Sequence, residues 1–138
     1  MKRFELIDHT ADIGITAYGN TLEELFENAA YGLFSVITDI DTVEPKEQYR
    51  VFVDAMDEEE LFIAWLNELI YFWEVKRVLG SVFKVNIFSK SSLKGEVYGE
   101  IFNPKKHYIE HIVKAVTYYD FKLTKEEKGW KAQVILDI

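Results

Sequence analysis

The stretch Ile13–Ile37 reads IGITAYGNTLEELFENAAYGLFSVI, and within it the spacing of apolar residues changes from two to between three and four. As far as Tyr18, apolar and polar positions alternate, which is typical of a strand with one covered face. Thr21 and Glu24 then form a capping-box pattern, and apolar residues follow at helical spacing. The stretch therefore predicts a strand followed by an amphipathic helix of about five turns.

The same two patterns recur along the rest of the chain. Asp57 and Glu60 repeat the helix-start pattern, and the wide apolar face that follows extends to Trp73. Alternating stretches predict further strands at residues 50–55, 83–88, 93–102, 112–123 and 130–138, with a polar turn that ends at Gly129 before the last of them. We therefore expect one domain over residues 1–138, an α+β two-layer sandwich whose mostly antiparallel sheet carries two long helices on one face.

Composition narrows the function classes. The chain has 138 residues, of which 49% are hydrophobic, and it has no cysteine, which excludes disulfides, thiolate metal sites and a cysteine nucleophile. No apolar run approaches the roughly 20 residues that a membrane span needs, so we expect a soluble cytoplasmic protein. Acidic residues outnumber basic ones by 24 to 16, for a net charge of −8. Strong direct binding to nucleic acid is therefore disfavoured, whereas a protein partner is not.

Three segments fit neither a plain core nor a plain surface: DHTADIG at residues 8–14, KAVTYY at 114–119 and VILDI at 134–138. Each has an ordinary explanation, namely an Asp in a turn, an outward Lys on a sheet and a frayed terminus. If Thr124 pairs with Gly129, however, Asp137 lies opposite Val116, with Lys114 on the diagonal within reach of its carboxylate. A turn one residue longer or shorter would reverse the faces.

In order, spacing and total chain length, these three segments resemble the signature segments of the archease family. The resemblance covers the whole chain and implies a small cytosolic α+β protein without catalytic residues of its own. Its implied partner is an RtcB-type RNA-splicing ligase. The resemblance further implies that such a protein promotes guanylylation of the ligase, restores its turnover and loosens its nucleotide specificity.

The resemblance also implies a divalent metal ion at the tip formed by the first and third segments. By position, the metal ligands would be Asp12, Asp137 and Ile138, the last through a main-chain or terminal oxygen. Oxygen-only ligation suits a hard cation, so we expect calcium, with magnesium or manganese as alternatives, and it argues against zinc. The shell is incomplete and would accept oxygens from a partner or from nucleotide phosphates.

Activation of the partner would fall to Lys114, His9 and Tyr118. A lysine and a cation delivered beside the reacting phosphates would stabilise the charge that builds on their oxygens. Family members commonly have a histidine where this chain has Tyr119, and alternation places Tyr119 on the face opposite Lys114.

Two other function classes stay open. Asp12, Asp137 and His9 could form a weak metal-dependent phosphohydrolase, although the sequence has no Gly-rich loop for phosphate and no second carboxylate cluster. A chaperone or specificity modulator of a tRNA methyltransferase would instead bind through exposed aromatic residues. The candidates for such a patch are Tyr18, Phe52 and Phe102.

Overall fold

The computed structural model describes residues 2–9 and 12–138, and it describes only the backbone of Asp8 and His9. In chain order the elements are β1 Phe4–His9, β2 Asp12–Gly19, α1 Leu22–Ile37, a 3-10 helix Ile40–Thr42, β3 Glu47–Asp54, α2 Glu58–Lys76, β4 Val78–Ser89, β5 Ser92–Ile101, β6 Ala115–Val116, β7 Lys122–Glu126 and β8 Gly129–Asp137. Within the described ranges, neither α-helix is long and apolar enough to cross a membrane.

The strands form two sheets in which every pair is antiparallel. One sheet has five strands in the order β1-β2-β8-β6, with β7 also paired to β8, and the other has three in the order β3-β5-β4. The predicted α+β sandwich with two long helices is confirmed, with its antiparallel pairing divided between two sheets. The sequence patterns missed β1, which is the edge strand beside β2.

Both helices begin at the caps that the sequence predicts. The side chain of Thr21 accepts a hydrogen bond from the amide of Glu24 at 3.1 Å, and that of Asp57 accepts one from the amide of Glu60 at 2.8 Å. These bonds satisfy amides that a helix start leaves without partners. At its other end α2 stops at Arg77, which adopts the left-handed conformation with φ of 58°.

One turn of α1 is bonded to all the neighbouring layers. The carbonyl of Phe26 accepts a hydrogen bond from the buried indole of Trp65 in α2 at 3.0 Å. Glu27 accepts one from the amide of Val85 in β4 at 2.8 Å, and Asn28 donates one to a carbonyl of β2 at 2.6 Å. Since β2 and β4 belong to different sheets, this turn joins both sheets and α2 around the core.

The prediction of one continuous strand over residues 112–123 is wrong. Between β6 and β7 the chain leaves the ladder in a turn, which is closed by a hydrogen bond of 3.0 Å from the amide of Phe121 to the carbonyl of Tyr118. Asp120 in this turn has φ of 51°. The ring of Phe121 stacks on Phe62 of α2 at 5.7 Å, so the turn brings an aromatic side chain against α2.

The predicted register of the last strands is also wrong. The β7–β8 hairpin closes with Glu126 opposite Gly129, so its turn is two residues shorter than predicted. The turn at residues 118–121, which we call the excursion before β7, shifts the register again. Asp137 therefore lies opposite Ala115 instead of Val116. Consequently Val116 is buried on the core side of the sheet, while Asp137 is exposed on the other.

Candidate functional site

Two of the predicted ligand residues meet at one end of the five-stranded sheet. In the β2–β8 ladder Ile13 lies opposite Leu136, so one further step along the same register places Asp12 beside Asp137. On the other side of β8, Ala115 lies opposite Asp137. The first, middle and last signature segments therefore come together in one row of residues, which we call the tip.

The tip brings together the kind of oxygen ligands that a hard cation prefers. Directly opposed residues of antiparallel strands have Cα atoms about 4.5–5.5 Å apart and side chains on the same face, so the carboxylates of Asp12 and Asp137 are within reach of one shared cation. Among the side chains that the structure describes, those of residues 2–7 and 12–138, no three of His, Cys, Asp or Glu are grouped closely enough to hold a metal. Ile138, the third predicted ligand, follows Asp137 and is half-buried.

Part of the first segment lies outside the described residues. The backbone of His9 pairs with Asp12 at the edge of the sheet. Its side chain, and the whole of Thr10 and Ala11, are not described. The predicted role of the His9 imidazole therefore stays a prediction.

Lys114 joins the tip through its backbone. Its amide donates a hydrogen bond to the carbonyl of Asp137 at 2.7 Å, and its side chain is exposed. The predicted contact between its ammonium and the Asp137 carboxylate does not occur in the part of the chain that the structure describes. The corrected register explains this absence. Asp137 shares a face with Ala115, whereas Lys114, one residue earlier, alternates to the face of Val116. In the described part of the chain, the side chain of Lys114 is thus exposed and forms no ion pair with the Asp137 carboxylate.

A residue that the sequence patterns missed holds β6 in place. The side-chain amide of Asn67 in α2 donates to the carbonyl of Val116 at 2.9 Å and accepts from the amide of Val116 at 2.8 Å. It satisfies both main-chain groups of Val116 as a neighbouring strand would, so β6 lies between α2 and β8. The available signal was a polar residue between Leu66 and Leu69 on the apolar face of the helix.

The two tyrosines of the middle segment lie beyond the β6 ladder. Tyr118 is 55% exposed, and its ring meets Phe121 edge-on at 5.9 Å. Partial desolvation, together with the carboxylates of Glu60 and Asp57, raises the pKa of Tyr118. Tyr118 therefore lies by the first turn of α2, apart from the tip. Tyr119 is 62% exposed in the same excursion.

Known proteins resemble this chain over nearly its whole length. The model of the Archease protein family (MTH1598/TM1083) matches residues 4–138. Proteins named archease from Sulfurisphaera tokodaii and Pyrococcus furiosus are each 42% identical to this chain, with 100% of both chains covered. Similarity at this level over the full length extends well beyond the three short segments.

Solved structures show the same fold. The solution structure of Methanobacterium thermoautotrophicum protein 1598 matches with a TM-score of 0.87 and 40% identity, and the match covers 100% of both chains. A crystal structure from Thermotoga maritima, described as an archease and possible chaperone, matches with a TM-score of 0.67 at 21% identity, over 97% of this chain and 96% of that one. By its family match and its full-length relatives, this chain belongs to the archease family.

Proposed function

We propose that this chain is a cytoplasmic accessory protein that activates an RtcB-type RNA-splicing ligase by promoting its guanylylation and repeated turnover. Membership of the archease family supports an accessory role. The observation that carries the proposal is the tip, where Asp12 lies beside Asp137 and the backbone of Lys114 is bonded to Asp137. In this proposal the chain has no reaction of its own and completes the site of another enzyme.

The tip would contribute groups that bind and orient phosphate. Asp12, Asp137 and an oxygen of Ile138 would hold a divalent ion, with calcium expected and magnesium or manganese as alternatives. When bound, the ion supplies positive charge for phosphate oxygens. The side chain of Lys114 is exposed, and its ammonium would bind a phosphate oxygen directly. Asn67 would position Lys114, because it fixes the strand that begins at the next residue.

Charge supports a protein partner over bare nucleic acid. The chain carries a net charge of −8, so phosphate backbones are repelled. An RNA ligase must present a basic surface to its substrate, and complementary charge would speed its association with this acidic chain. Association in this proposal therefore weakens as the salt concentration rises.

The decisive test is a guanylylation assay of the ligase with GTP and manganese, with and without this chain. We expect the chain to raise the guanylylated fraction and to allow repeated turnover. Asp137→Asn should remove most of that gain while the circular dichroism spectrum stays unchanged. Asp54→Asn is a matched control, because Asp54 is an exposed carboxylate on the three-stranded sheet. No gain with the unmodified chain, or equal losses in the two variants, would contradict the proposal.

Metal binding can be measured apart from activation. Calorimetric titration of the chain with calcium, and then with manganese, should give one site that both Asp12→Asn and Asp137→Asn weaken. If neither ion binds to the unmodified chain, the shell is completed only by the partner, and the titration should be repeated on the complex. A site that survives both substitutions would remove the tip from the mechanism.

Exposed aromatic residues favour a second candidate, a chaperone or specificity modulator of a tRNA methyltransferase. Phe52 on β3 is 68% exposed, whereas Tyr18 and Phe102 are partly buried. The Thermotoga maritima relative is described as a possible chaperone. Under this alternative, Phe52→Ser would abolish an effect on methyltransferase site selectivity and leave ligase guanylylation unchanged. Phosphate release without any partner would instead support the weak phosphohydrolase.

A further inference from the structure

A concave site that shares no residue with the tip lies between α1, the 3-10 helix and β4. This cleft has a volume of about 390 Å³. Its polar lining includes Arg3, Glu27, Tyr31, Asp41 and Ser81, and most of the remaining lining is apolar. The cleft thus combines charged and hydrogen-bonding groups with apolar side chains, as small-molecule sites do.

The hydroxyl of Ser81 is the polar group in this cleft that most needs a ligand. Ser81 lies at an irregularity of β4, where pairing with β5 shifts register between Gly80 and Val82. Its Oγ is buried and has no hydrogen-bond partner within the described residues. Buried hydroxyls are nearly always bonded, so the Ser81 hydroxyl takes its partner from the cleft, either water or a ligand that displaces it.

Glu27 of α1 provides a carboxylate that is bonded to β4, some distance along that strand from Ser81. One of its oxygens accepts from the amide of Val85 at 2.8 Å, which leaves the other available. Partial burial raises the pKa of Glu27, so a cation that binds there would replace lost hydration. Val85 is four residues beyond Ser81, and a strand rises about 3.3 Å per residue, so the backbone position that Glu27 binds is roughly 13 Å along β4 from Ser81. A ligand that reaches both must be elongated.

The remaining charged groups indicate the sign of that ligand. The guanidinium of Arg3 lies over the ring of Tyr31, 4.1 Å from its centroid, so this ring already attracts a cation. Glu27 and Asp41 supply two carboxylates against the one guanidinium. A positively charged ligand with an apolar stem therefore matches the cleft better than an anion does.

We propose that this cleft binds a linear aliphatic polyamine, with one ammonium on Glu27, the methylene stem along the apolar wall of β4, and a second amine at the Ser81 hydroxyl. The shared chemistry is an alkylammonium, which a lysine side chain of another protein also carries. The free polyamine is favoured because it has amines at both ends, whereas the lysine side chain has a single ammonium on a short stem. This inference is independent of ligase activation.

Binding can be measured by titrating the ¹⁵N-labelled chain with spermidine and following the amide signals of Ser81 and Val82. We expect saturable shifts confined to the cleft. Glu27→Gln keeps an acceptor for the Val85 amide and should weaken binding about tenfold or more, since it removes a charge-assisted bond. Ser81→Ala should weaken binding about threefold. Glu127→Gln, a carboxylate in the exposed β7–β8 turn, is the matched control and should change nothing.

Arg3→Gln gives the sharpest test, because the sign of its effect depends on the ligand. It removes a like charge and uncovers the ring of Tyr31, so spermidine should bind more tightly to this variant. A parallel titration with inorganic phosphate should show no saturable shift. Phosphate binding that Arg3→Gln weakens and Glu27→Gln strengthens would overturn the proposal, as would the absence of shifts with spermidine. If N-acetyl-lysine amide binds with the same affinity as spermidine, the ligand is a lysine side chain of another protein and the proposal of a free polyamine is wrong.

Discussion

Glu100 is the carboxylate whose replacement should cost this fold most. It is 8% exposed, yet it accepts hydrogen bonds from the ammonium of Lys106 at 2.7 Å and from the amide of Glu44 at 2.8 Å. His107 lies 3.1 Å away through Nε2, and its Nδ1 accepts from the amide of Asn103 at 3.0 Å. With Nδ1 accepting, a neutral His107 donates through Nε2 to Glu100. The loop after β5 is thereby fastened to the three-stranded sheet.

The size of the effect follows from the pKa of Glu100. Burial alone would raise this pKa, but the bonds from Lys106, the amide of Glu44 and His107 outweigh burial and lower it from 4.5 to about 2. Each tenfold change in proton affinity is worth about 1.4 kcal/mol, so the ionised carboxylate contributes about 3 kcal/mol to the free energy of unfolding. A lowered pKa stabilises the fold above the unfolded value. This contribution is therefore complete above about pH 4.5 and is lost as the pH falls toward 2.

Urea unfolding followed by tryptophan fluorescence tests this prediction. At neutral pH, Glu100→Gln should lower the free energy of unfolding by about 3 kcal/mol, because Lys106 loses its least exposed partner. Between pH 4.5 and 2 the variant should lose less stability than the unmodified chain. Glu44→Gln is the matched control on the solvent side of the same network, and its effect should be small. A loss of less than about 1 kcal/mol for Glu100→Gln, or parallel acid profiles, would refute the reasoning.

Three further substitutions test how the elements are held. Asn67→Ala should cost about 1–3 kcal/mol and reduce hydrogen-exchange protection at Val116, whose amide and carbonyl would each lose a bond; unchanged protection would mean that β8 alone holds β6. Gly95→Ala should lower the melting temperature by the equivalent of about 1–3 kcal/mol, because its Cβ would lie 2.4 Å from the ring of Trp65; a neutral result would show that the indole can move. Thr21→Ala should lower the free energy of unfolding in urea by about 1 kcal/mol, because α1 loses its N-cap. No change would mean that water satisfies the amide of Glu24 equally well.

The parts of the fold that sequence predicts are those set by neighbours along the chain. Helix starts at Thr21 and Asp57 follow from side chains that bond to amides three residues away, and both are confirmed. The excursion before β7 could not be predicted in this way. In it, Phe121 stacks on Phe62, and these two residues are far apart in the sequence. The alternation of apolar and polar residues between 112 and 123 gives no indication of that contact.

In the candidate site too, some features follow from the sequence and others depend on contacts between distant residues. The pairing of Asp12 with Asp137 was expected from the family's signature segments, and the ladder brings the two residues side by side. The position of Lys114 relative to them depends on the strand register. Because the predicted register was wrong, the predicted contact of the Lys114 ammonium with Asp137 is absent, and the backbone amide of Lys114 bonds to Asp137 instead. Asn67 acts on a strand of only two residues, which is too short to give a periodic pattern.

The turn of α1 at Phe26, Glu27 and Asn28 has a mechanical consequence. Its three successive residues bind α2, β4 and β2, so neither sheet can slide past the other without breaking bonds within the same 4.5 Å or so of helix. A force applied between the two sheets would load all three contacts together. Stretching a single molecule across this junction should therefore give one rupture peak, with no plateau from layers that separate one after another.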